Sequence, residues 1–179
     1  MKRFFLLLML FAFMCLTNAR CGAYGNRDLA GAAGIVRDVG NADAALILSE
    51  GHAMLIDGGN KSDSQLLYSV LKKEKIRSLD IVVATHAHVD HIGGIPGALN
   101  YASADLVLSP VEKHSSEAFD DLKKYSIKNG PGLAIPSIGD TYTFSDAVIT
   151  ILALNSGKTV NETSIVLKIQ HGDVSFLFL

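Results

Sequence analysis

Four side chains able to hold a metal ion fall within six residues: His86, His88, Asp90 and His91, in the run I-V-V-A-T-H-A-H-V-D-H-I-G-G from Ile81 to Gly94. Imidazole and carboxylate donors together suit zinc, with manganese or iron also able to use them. The absence of thiolates from the cluster points to a catalytic rather than a structural centre. In a locally extended loop His86 and His88 project to one side and can share one ion, whereas Asp90 and His91, from the next bend, face a second position. Two ions about 3.5–4 Å apart would hold a hydroxide between them and make a nucleophile available at neutral pH. Asp90 can orient that hydroxide, which makes it the expected catalytic residue as well as a ligand. A surface loop with chance histidines is the plainer reading, and the density of the tetrad weighs against it.

Several elements must position these groups. Residues 79–84 are short, continuous and apolar, as in a buried strand, and Gly93-Gly94 stands where the chain must turn into a helix. The histidines therefore lie at the carboxyl end of a strand, where open α/β sheets place their sites. Strands are expected at 35–39, 44–49 and 53–56, with Asp57-Gly58-Gly59 as the closing turn. Read from its type and place alone, Asp57 is an Asx-type turn residue. Helices are expected at 62–75, 92–101 and from Ser115 or Ser116 to Tyr125, and a short strand at 106–108. His52 and His171 fall in hairpin turns and are expected to be solvent-facing, and His114, before a helix cap, belongs to the surface. Residues 128–139, with two prolines and three glycines, are loop-like and suited to one wall of a substrate cleft. The second half offers strands at 141–144, 147–154, 164–170 and 174–179, and the element order suggests two similar halves.

With these residues in view, T-H-A-H-V-D-H-I-G-G from Thr85 to Gly94 resembles the H-x-H-x-D-H signature of the metallo-β-lactamase superfamily. D-V-G-N-A-D-A-A-L-I-L from Asp38 and M-L-I-D-G-G from Met54 resemble the opening elements of that fold. N-E-T-S-I-V-L-K-I-Q-H-G-D-V-S-F-L-F from Asn161 is similar to a strand pair in the branch containing the hydrolase domain of competence protein ComEC. The resemblance implies an α/β fold, the αββα sandwich, over residues 34–179, and metal-dependent hydrolysis of a phosphodiester or related ester. It also places Asp57 near the metal loop and lets Asn161 and Ser164 anchor a strand beneath it, although Asn161-Glu162-Thr163 equally fits an N-glycosylation pattern. In that branch F-L-F is followed by Thr-Gly-Asp and later His-His-Gly-Ser, which supply further ligands. The expectation is a domain incomplete at its C-terminal end, whose four ligands belong to a two-ion zinc centre in a longer parent. A non-catalytic remnant with weak metal binding is the alternative.

The remaining composition bounds the setting. A chain of 179 residues, 49% hydrophobic, can build one substantial core. Residues 1–23 have the form of a secretory signal peptide: Lys2 and Arg3, then an apolar run from Phe4 to Leu16, then small and polar residues. That run is short for a membrane span, so a secreted or periplasmic protein without a stable span after cleavage is expected. Both cysteines, Cys15 and Cys21, lie in this leader, which excludes a disulfide framework in the mature chain. The formal charge of -2, made more negative by loss of Lys2 and Arg3, is no nucleic-acid footprint, and Lys72-Lys73-Glu74-Lys75 reads as a solvated helix face. The expected partner is a small-molecule or phosphodiester substrate.

Overall fold

Alternation along single strands sets the architecture. In β3 (His52–Asp57), Ala53 and Leu55 face one apolar cluster while Met54 and Ile56 face another. In β5 (Ile81–Val83), Val82 joins the first cluster and Ile81 and Val83 the second. Strands apolar on both faces must be covered on both sides. Helices cover one side here and a second sheet covers the other. The structure, a computed structural model, describes residues 32–36 (backbone only), 43–154 and 159–179. The expected leader at 1–23 and residues 37–39 of the expected first strand lie outside the described residues.

The first sheet has the order β1-β2-β3-β5-β7-β8, with β1 (Ala32–Val36), β2 (Ala44–Ser49), β7 (Val107–Leu108) and β8 (Leu133–Ala134). Its first three strands are antiparallel neighbours, and β3, β5, β7 and β8 run parallel. A small parallel pair, β4 (Ser78–Leu79) with β6 (Ser103–Ala104), stands beside it. The second sheet is antiparallel, in the order β12-β11-β10-β9, from β9 (Thr141–Phe144), β10 (Ala147–Ala153), β11 (Val166–His171) and β12 (Val174–Phe178). Four helices, α1 (Ser64–Lys73), α2 (Val89–Ile92), α3 (Ile95–Leu99) and α4 (Glu117–Lys128), complete the described elements with two 3₁₀ turns. No helix of the described residues is long and apolar enough to cross a membrane.

Several expected elements are corrected. The strand expected at 79–84 is broken at Asp80, whose carboxylate accepts from the Ala53 amide at 2.8 Å and meets His52 Nδ1 at 2.6 Å. The Asp80 amide also donates to the Ala53 carbonyl at 2.8 Å, and the chain passes here from the β4–β6 pair into the first sheet. The helix expected at 62–75 begins as a 3₁₀ turn, Lys61–Asp63, because the Asp63 carboxylate caps the Asn60 amide. The helix expected at 92–101 is two short ones, and the first opens inside the histidine motif at Val89, with Gly93-Gly94 between them. The third helix begins as expected, with the Ser116 hydroxyl accepting from the Phe119 amide, and extends to Lys128. The loop-like 128–139 stretch contributes the edge strand β8. All four helices precede the second sheet, so the described residues do not repeat a strands-then-helices half.

Glycines let the two site loops touch. A Cβ on Gly94 would overlap the Gly58 carbonyl oxygen, and one on Gly58 would press on the Ile95 amide and side chain. Gly94→Ala is expected to lower stability in urea by about 3 kcal/mol, the upper range for overpacking. Gly172→Ala, whose added methyl meets open space and carries only left-handed backbone strain, should cost about 1–2 kcal/mol. Equal losses in the two variants would show that the loops part freely.

Candidate metal centre

The parallel strands deliver their carboxyl ends to one edge, and Asp57 stands there as the last residue of β3. It is buried, at 3% exposure, and its φ of 56° is left-handed. Its carboxylate bonds across to the next strand: Oδ1 accepts from the Thr85 amide at 2.8 Å and Oδ2 from the Thr85 hydroxyl at 2.6 Å. Oδ2 also accepts from His91 Nδ1 at 2.8 Å. Of the two readings open in the sequence, these contacts favour a support for the histidine loop over an Asx turn.

The loop itself is stitched to its neighbours through backbone. Gly58 donates to the His91 carbonyl at 2.6 Å, Gly94 to the Gly59 carbonyl at 3.1 Å, and Asp43 to the Asp90 carbonyl at 3.3 Å. Ile165, just before β11, donates to the Thr85 carbonyl at 2.8 Å, so the second sheet is tied to the same edge. Asn161 opens the 3₁₀ turn ahead of it, and its carbonyl accepts from the Ser164 hydroxyl at 2.6 Å.

These ties bring the three imidazoles together. The His86 and His91 ring centres lie 3.8 Å apart, and those of His86 and His88 5.0 Å apart. His86 is therefore the middle ring, rather than one member of a His86/His88 pair set apart from His91. His86 is buried and His88, Asp90 and His91 are partly exposed. Among the described residues neither the His88 ring nor the Asp90 carboxylate has a hydrogen-bond partner. His91 Nε2 faces the Asp43 carboxylate at 3.7 Å.

The electrostatics divide the rings. Burial and then the neighbouring His91 push His86 below its ordinary value, against the pull of Asp57. Burial pulls His91 down too, but the hydrogen bond and charge of Asp57, with Asp43 and Asp90 behind them, carry it above its ordinary value.

The donor chemistry fits zinc: imidazoles and a carboxylate, one imidazole held at its far nitrogen by a buried carboxylate as metal-bound histidines usually are. No three His, Cys, Asp or Glu side chains of the described residues stand ready to hold an ion.

The other histidines lie elsewhere. His114 is partly buried, its Nδ1 3.0 Å from the Ser116 hydroxyl beside a helix cap. His52 is exposed but paired with Asp80. His171, expected to face solvent, has only 18% of its side chain exposed, and its Nε2 meets Asp146 at 2.7 Å across the neighbouring turn. Both pairs sit at the opposite edge, where Ser49 meets Ser145 at 3.2 Å. Thr85 and Asp43 went unrecognised as site residues. Thr85 lies just past the expected strand at 79–84 and its type alone points to no partner, and Asp43 carries no signal beyond its place in D-V-G-N-A-D.

The family model of the metallo-beta-lactamase superfamily matches residues 37–179. The chain belongs to the metallo-β-lactamase superfamily. Among solved superfamily folds it is similar to a HARLDQ-motif mutant metallo-beta-lactamase from Cronobacter sakazakii, at TM-score 0.58 and 15% identity over 83% of this chain and 60% of that one. It is also similar to the metallo-beta-lactamase fold protein YhfI from Bacillus subtilis, at TM-score 0.52 and 18% identity over 87% of this chain and 58% of that one. Curated relatives include ribonuclease Z of Clostridium kluyveri, 39% identical over 40% of this chain and 22% of its own length. Ribonuclease Z of Limosilactobacillus fermentum is 27% identical over 62% of this chain and 37% of its own length. The chain thus spans well under half of these ribonucleases. Its fold is the superfamily's α/β fold, covering part of those reference chains.

The opposed shifts give a pH signature. In the metal-free chain His91 should titrate above 6.5 and His86 below it, followed by imidazole NMR. The Asp57–His91 pair then contributes stability in full below 6.5 and loses it as pH rises through the raised His91 value. His86 acts in the opposite sense, lowering stability as pH falls below 6.5, because the unfolded chain takes up that proton more readily. Coincident or inverted midpoints would contradict this arrangement.

Proposed function

We propose that the chain belongs to an exported, zinc-dependent hydrolase that cleaves a phosphodiester or related ester, with His86, His88, Asp90 and His91 as metal ligands and Asp90 as the catalytic residue. The observation that carries the reading is the meeting of three imidazoles above a buried carboxylate that holds one of them at 2.8 Å. When bound, two zinc ions, or manganese or iron in their place, would polarise the ester and lower the pKa of water. The chain's own part is to present donors: Asp57 fixes the His91 ring, helix α2 sets Asp90 and His91 one after the other, and the Gly58–His91 backbone bond fixes the loop height.

The phosphodiester class is supported by the relatives' name, ribonuclease Z. The formal charge of -2 and the acidic side chains Asp43, Asp57 and Asp90 around the loop favour a small phosphodiester over a long nucleic acid. Within the superfamily we place the chain near the ComEC hydrolase branch on the strength of the strand pair from Asn161 to Phe178. Export, to a secreted or periplasmic location, rests on the form of residues 1–23, and residues 34–179 form the hydrolase domain. A second reading, a non-catalytic member of the fold with weak metal binding, is favoured because the adjacent rings, like the other His, Cys, Asp and Glu side chains of the described residues, do not form a group of three placed to hold one ion.

Hydrolysis of bis-para-nitrophenyl phosphate with zinc or manganese supplied separates the two, run on the chain and on any longer form its reading frame encodes. Asp90→Ala is expected to lose about a hundredfold or more, as when a preorganised electrostatic group is removed. His114→Ala should stay within a few-fold of the parent. An Asp90→Ala variant as active as the parent would remove the loop from the chemistry. No turnover in any form, with no zinc retained, would select the second reading.

A further inference from the structure

We propose that Thr85 is a positioning residue that sets which nitrogen of His86 carries the proton, and so which one is offered to a metal; this rests on reading the histidine loop as the metal centre. Thr85 is 2% exposed, and its hydroxyl oxygen lies 2.6 Å from Asp57 Oδ2 and 3.1 Å from His86 Nδ1. A hydroxyl has one proton to give and two lone pairs to receive with, whereas an ionised carboxylate only accepts. The short contact to Asp57 therefore takes the hydroxyl proton. Towards His86 the same oxygen can only accept, so His86 Nδ1 must donate. In the neutral ring that leaves Nε2 bare.

A neighbour receives the same treatment by another route. His91 Nδ1 donates directly to Asp57 at 2.8 Å and stands at 3.5 Å from the Thr85 hydroxyl, at the limit of a hydrogen bond. Two adjacent rings, 3.8 Å between centres, thus turn their protonated nitrogens to one buried support, Asp57 serving one and Thr85 the other. An unconstrained neutral imidazole divides its proton between both nitrogens. A ring with its proton on Nε2 must exchange it before that nitrogen can bind a cation. The Asp57–Thr85–His86 chain removes that choice. It also gives a reason for a threonine rather than valine at the end of an apolar strand: valine keeps the shape and loses both hydrogen bonds.

The test uses the metal-free 179-residue chain, with the His86 imidazole nitrogens observed by NMR above pH 8, where the ring is neutral, in the parent, Thr85→Val and Thr85→Ser. The parent and Thr85→Ser should show the proton on Nδ1, and Thr85→Val should show it on Nε2 or shared. Cobalt titration of the same samples should find Thr85→Val weaker by about tenfold or more, the range for lost support of a metal-binding histidine, and Thr85→Ser like the parent. A parent with His86 protonated at Nε2 overturns the assignment without any variant, so misfolding of Thr85→Val would not shelter it. An unchanged tautomer in folded Thr85→Val overturns it as well. A parent protonated at Nδ1 that binds no cobalt supports the role of Thr85 and contradicts the metal reading.

Discussion

The Asp57 carboxylate is the group on which the rest of this site depends. It is buried at the end of β3, bonds to Thr85 two residues beyond β5, and holds the histidine-bearing turn by one ring. A buried carboxylate without partners costs several kcal/mol, and here its two oxygens accept three hydrogen bonds. Loss of the carboxylate would leave the Thr85 amide buried without an acceptor, at a cost of about 1–3 kcal/mol, and free the Thr85 hydroxyl to turn to His86 Nδ1. The same contacts that make Asp57 tolerable in the interior fix the position of the chemistry above it.

Backbone proximity makes this possible. Asp57-Gly58-Gly59 and the turn from His91 to Gly94 approach within hydrogen-bond distance twice, through Gly58 to His91 and Gly94 to Gly59. Side chains at Gly58 or Gly94 would force the loops apart. The second sheet contributes at the same edge, where Ile165 meets Thr85. Three sequence-distant segments therefore converge at the carboxyl end of β5, while apolar packing between the sheets and beneath the helices holds the scaffold rigid.

Much of this is legible in the residues because local pattern and tertiary demand agree. The β-branched run before Thr85, the alternation in β10 and the cap at Ser116 each state their structure, and the histidine motif states its chemistry. The misses share a feature: side chains that bond across to another segment. Asp80 stands at the strand break with its side chain on His52 and Ala53, Asp63 turns a helix start into a 3₁₀ turn, and His171 pairs with Asp146. Thr85 follows the same pattern, since its strand propensity is visible and its three polar neighbours are not. Which of two roles Asp57 takes is a matter of where its carboxylate reaches, and periodicity carries no information about that.

The most direct measurement of the central claim is the titration of His91 in metal-free Asp57→Asn, followed by imidazole NMR against the parent. The amide keeps the shape of the carboxylate and removes its charge. The expected result is a His91 midpoint well below that of the parent, because burial then acts with only Asp43 and Asp90 to oppose it. A midpoint equal to the parent's, in a folded variant, would mean that Asp57 does not hold His91 and that the site is organised by something else.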